Sequence, residues 1–130
     1  MTRDEFVQEY NDTVKRAMEF AARARREGLL ALEDVLDQEK INDRDIFHYG
    51  LQFVVDGIDP AIIVKVLSNL IEQEKDEYTR ILKNMQKEAV LMMQEGSNHR
   101  LIYAVLNSFT DISLKDDVIK EDDVTSDMFE

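Results

Sequence analysis

Apolar side chains recur at helical intervals from the start of the chain. Phe6, Tyr10, Val14, Met18, Ala21, Arg25 and Leu29 follow at steps of three, four and seven, which places them on one face of an α-helix. The preceding Thr2-Arg3-Asp4-Glu5 reads as a capping box, in which the Thr2 hydroxyl accepts from the Glu5 N–H and the Glu5 carboxylate reaches back. Gly28 interrupts the run, but a glycine inside a helix costs only about 1 kcal/mol relative to alanine. The pattern therefore predicts one long helix to about Leu36, with any bend at Gly28.

A polar connection over 37–44 separates this helix from the next. Asp45 is suited to cap a second helix, whose apolar stripe is Phe47, Gly50, Leu51 and Val54, widened by Ile46 and Phe53. Apolar residues on more than one side predict central burial. Asp56-Gly57 ends this helix, and Asp59-Pro60 starts another, with Asp59 as cap and Pro60 in the first turn, where a missing N–H costs nothing. Ile63, Val66, Leu67, Leu70 and Ile71 precede a charged stretch, after which the period resumes at Tyr78, Ile81, Met85, Ala89 and Met92. With no glycine or proline between Pro60 and Gly96, a continuous third helix near 50 Å long is expected. It would need a partner along its length, internal or from a second chain. After Gly96-Ser97-Asn98, a short last helix is marked by Ile102, Val105, Leu106 and Phe109.

Beyond Thr110 the pattern disappears. Residues 111–130 carry eight acids against Lys115 and Lys120, a charge of −6, which is half of the chain's −12. Such a segment is expected to be largely disordered. The expected fold class is thus all-α: a compact bundle of about four to five helices, one of them long, over residues 1–110, with an acidic tail at 111–130.

Composition narrows the function. The 130 residues suit one domain and include only 4 Gly and 1 Pro, which favours few, long elements. Cysteine is absent, removing disulfides, thiolate metal sites and thiol nucleophiles. The charged N-terminus is no secretory signal. The most apolar stretch, 51–70, is broken by Asp56, Asp59 and Lys65, so no membrane insertion is expected. A net charge of −12 disfavours nucleic acid and anionic lipid and favours protein partners with basic surfaces. These features fit a cytoplasmic protein.

Little suggests chemistry. His48 and His99 are far apart and lack ligand spacing, so each is expected at the surface or the edge of the core. Asp56-Gly57-Ile58-Asp59 lacks the alternating ligands of a calcium loop and reads as a helix stop and restart. No phosphate loop or nucleophile elbow occurs, and adjacent acids such as Glu33 and Asp34 do not face each other on a helix. No enzyme, metal or cofactor is expected.

The distinctive segment is Arg23-Ala24-Arg25-Arg26-Glu27-Gly28, followed by Leu29-Leu30-Ala31-Leu32-Glu33, which concentrates positive charge in an acidic chain. On a helix continuing through Gly28, Arg26 and Glu33 share a face about 10.5 Å apart, with Arg23 one turn before Arg26. Such a plus–apolar–minus face sets register on a partner helix more than it adds affinity. The other reading is a solvated face with local ion pairs.

Residues 25–33 (RREGLLALE) resemble the signature of the cytoplasmic loop of MotA, the stator subunit of the bacterial flagellar motor. The resemblance continues into 50–60 (GLQFVVDGIDP) and spans about residues 14–75. It implies contact with the rotor protein FliG, through an arginine before the glycine and a glutamate after it. Registered on Gly28, these are Arg25, with Arg26 beside it, and Glu33. The helical-face reading prefers Arg26, so both arginines stay candidates. The membrane helices of MotA have no counterpart here, and ion translocation is not expected. The function expected is a non-enzymatic motor-associated module that binds FliG or other stator or switch proteins. The alternative is a self-associating helical scaffold related to MotA by ancestry only.

Overall fold

The computed structural model describes residues 1–38 and 45–111. The acidic tail, apart from Asp111, and most of the polar connection lie outside these residues. The described chain is all-helical: α1 Arg3–Glu27, α2 Ala31–Gln38, α3 Ile46–Val55, α4 Pro60–Glu72, α5 Glu77–Glu95 and α6 His99–Asn107.

The caps form where the sequence places them. Thr2 and Glu5 make the reciprocal capping box of α1, and the Thr2 bonds hold the Glu5 carboxyl below its usual range. Asp45 accepts from Phe47 N–H at 2.9 Å and Asp59 from Ala61 N–H at 2.8 Å, with Pro60 in the first turn of α4. Gly57 and Gly96 take positive φ after α3 and α5.

Two expected continuous helices are each two. The first stops at Glu27, because Gly28 adopts φ 91° and ψ 161°, a backbone region open essentially to glycine alone. The second stops at Glu72 and restarts at Glu77. Asp76 caps the restart, accepting from the Thr79 N–H at 2.9 Å and its hydroxyl at 2.7 Å. The Thr79 hydroxyl, then its N–H, lowers the Asp76 pKa. Glu74, paired with Lys83 at 2.9 Å, accepts from the Asp76 N–H and closes the turn. Among the described residues, α1, with 25 residues, is the longest of six helices, so the expected all-α bundle with one long helix holds, with that helix at the start of the chain.

Helix α5 is the hub, packing against α1, α3, α4 and α6. Its Leu82, Met85, Ala89, Val90, Met92 and Met93 are buried against α1's Phe6, Tyr10, Val14 and Met18 and the inner faces of α3 and α4. The need of a long helix for a neighbour is met inside the chain. Helix α3 packs against α2, α4 and α5; its buried residues Ile46, Phe47, Gly50, Leu51 and Val54 form one broad face, and the rest are half-buried. Its Gly50 lets it approach closely, since a Cβ there would lie 2.9 Å from Val90 Cγ1 and 3.1 Å from Leu67 Cδ1. Helix α6 runs back along α1. Tyr10 Oη donates to Asn107 Oδ1 at 3.1 Å near one end, and Arg25 meets His99 at the other.

Candidate protein-interaction surface

The charged segment folds as a corner. The end of α1 carries Arg23, Arg25 and Arg26, Gly28 turns the chain, and α2 carries Glu33 in its first turn. The Gly28 N–H closes α1 on Ala24 O at 2.8 Å. Ala31, Leu32 and Glu33 N–H then bond to Gly28, Leu29 and Leu30 O at 3.0–3.1 Å, in the three-residue pattern of a tight turn. Leu32 and Leu36 are buried and anchor α2, while Glu33 and Asp34 face solvent. The acids sit at the positive end of the α2 dipole and the arginines at the negative end of that of α1, which is favourable for both.

The corner corrects the expected shared face. Arg26 and Glu33 belong to different helices, so helical spacing does not relate them. Both are exposed. Leu30, expected between the charges, is 71% exposed at the apex of the turn. An apolar tip flanked by a basic helix end and an acidic helix start therefore survives, with the geometry of a corner.

The three arginines differ. Arg23 forms an i, i+4 ion pair with Glu27 at 3.1 Å, so much of its charge is used locally. Arg26 is exposed in the last turn of α1. Arg25 shows why it falls on the apolar stripe: its Nη1 lies 3.3 Å from Nδ1 of His99 on α6. A guanidinium only donates, so Nδ1 of His99 is the acceptor in this contact. His99 is 2% exposed, more buried than its expected place at the surface or core edge. No spacing rule could reveal this contact between residues 74 positions apart. A groove of about 430 Å³ opens beside it, lined among others by Arg25, Leu29, Gly96, Asn98, His99 and Ile102.

Among the described residues no helix is long and apolar enough to cross a membrane. No protein-family model matches the chain, and no solved structure matches it. It is 40% identical over 65 residues to Motility protein A of Borreliella burgdorferi (strain ATCC 35210 / DSM 4680 / CIP 102532 / B31). The match covers 50% of this chain and 24% of that protein.

Proposed function

We propose that the chain is a motility protein of the flagellar motor that acts by binding, without catalysis, cofactor or metal. It presents the Arg25–Arg26 end of α1, the Leu30 tip and Glu33 to the rotor protein FliG or to another stator or switch component. The observation that carries this reading is a likeness to Motility protein A combined with exposure of both charges of the stator-like motif around Gly28. The corner supplies opposite charges across an exposed leucine. Charge pairs of this kind at an interface govern encounter and register, and an apolar tip between them adds burial. The chain works at the cytoplasmic face of the motor.

Calorimetric titration of FliG with the single variants Arg25→Glu, Arg26→Glu and Glu33→Lys tests this. Each reversal at a contacting position is expected to weaken binding about tenfold, or 1.4 kcal/mol. The stronger arginine effect identifies the contacting side chain. Unchanged affinity in all three, with circular dichroism showing intact helices, removes the proposal.

The second reading, self-association, draws on α4, where the large apolar side chains Ile62 and Val64 are both exposed. A mass by light scattering that rises with concentration, with no binding to motor proteins, favours it.

A further inference from the structure

The groove beside the Gly28 corner holds about 430 Å³ of space between the end of α1 and the α5–α6 connection. Ala24 and Leu29 line it from the corner, Met93 and Ile102 from α5 and α6. Gln94, in the last turn of α5, also lines it. Its Nε2 donates to Ile58 O at 3.0 Å. That bond fixes the amide, because only its nitrogen can donate to a carbonyl. Gln94 Oε1 is buried and has no hydrogen-bond partner among the described residues. A buried acceptor left unmatched is costly and calls for a donor. An apolar wall with one unmatched acceptor suits a group with an apolar body and a single donor at its edge. Indole and phenol rings have that form, whereas aliphatic side chains lack the donor. Arg25 in the same wall adds to the preference. Its contact with His99 holds the guanidinium there, and stacking on a ring uses the guanidinium plane, leaving its hydrogen bonds in place.

The geometry points to an aromatic anchor: the groove receives a tryptophan or tyrosine side chain of a protein partner, whose N–H or O–H donates to Gln94 Oε1. A partner side chain is favoured over a free ligand because the groove is continuous with the proposed contact surface. Leu29 lines the groove, and the next residue, Leu30, is the exposed tip. The anchor also supplies the affinity. Exposed charge pairs at a rim contribute little, whereas an aromatic side chain in a desolvated pocket is the usual hot spot of an interface. Arg26 and Glu33 then set the register around it. The identity of the partner rests on the function proposed above, whereas the aromatic preference of the groove does not.

Two probes of the same shape test the preference: indole, and benzofuran, which has oxygen in place of the N–H. Added to the full chain, indole is expected to shift the NMR signals of the Gly96 amide and the Gln94 side-chain amide, and not those of α4. Benzofuran should need at least about threefold more to reach half-saturation, since it cannot donate. Equal half-saturation for the two, or shifts spread over all helices, overturns the assignment. Ala24→Leu fills the groove and leaves Arg25, Arg26 and Glu33 in place. It is expected to weaken FliG binding at least about tenfold. Ala24→Ser, which leaves the groove open, should stay within about twofold of the parent chain. Saturating indole should also raise the apparent Kd of the parent chain for FliG several-fold, a readout that needs no variant to fold. FliG affinity unchanged by both Ala24→Leu and indole overturns the anchor and leaves the groove a small-molecule site at most; losses on charge reversal would then still support the corner. If the parent chain does not bind FliG yet prefers indole to benzofuran, the partner assignment falls and the aromatic site stands.

Discussion

Replacing Phe47 with alanine is expected to destabilise the chain by about 3–5 kcal/mol, the largest effect of any single truncation considered. The ring is fully buried in the first turn of α3. Phe20 of α1 packs on it with centroids 5.7 Å apart, and the Arg16 guanidinium lies 5.1 Å from its centroid and 5.3 Å from that of Phe20. Arg16 is held there by an ion pair with Asp45 at 3.1 Å, and the same Asp45 caps α3. Truncation thus opens a cavity between α1 and α3 and removes one of two rings facing the cation, a contact worth about 0.5–2 kcal/mol. Phe47→Leu, which keeps most of the apolar volume, should lose much less. Urea unfolding checks both: the midpoint should fall steeply for alanine with little change of slope. Near-equal midpoints for the two variants would refute this packing account.

Gly28→Ala is expected to destabilise by about 1–3 kcal/mol, even though an added Cβ meets no atom within 4 Å. The penalty comes from the backbone: at φ 91° and ψ 161° an L side chain is strained whatever the space around it. An ordinary exposed glycine inside a helix would behave oppositely, since alanine there is stabilising by up to about 1 kcal/mol. The sign of the change therefore distinguishes a corner from a continuous helix. Loss of stability is the expected outcome in thermal or urea unfolding. A gain in stability with increased helical signal in circular dichroism would mean that α1 runs on into α2.

Most of the fold was legible because local chemistry decides it. Thr2/Glu5, Asp45, Asp59 and Gly96 mark helix ends through bonds that span a few residues, and most of the periodic apolar positions lie in the core or pack against it. Both missed breaks have physical reasons. At Gly28 the propensity cost of glycine is small, but glycine also takes a conformation closed to other residues, and that ends the helix. At 73–76 no glycine or proline announces the turn. The readable signal was Asp76 three residues before Thr79, a cap hidden within a charged stretch. At the candidate surface, the residues were legible but their geometry was not. The spacing of Arg26 and Glu33 has meaning only on one helix, and the pairing of Arg25 with His99 depends on α6 returning along α1.

A charge-swap cycle tests most directly whether the Gly28 corner binds a partner. FliG variants with single acidic side chains reversed to lysine would be titrated against the parent chain, Arg25→Glu and Arg26→Glu, each with its helices verified. One FliG reversal is expected to weaken the parent interaction and to restore most of the affinity when paired with the matching arginine reversal, a coupling of at least about 1 kcal/mol. Strictly additive losses in every combination, or no loss at all, would contradict a direct role for the Gly28 corner in binding.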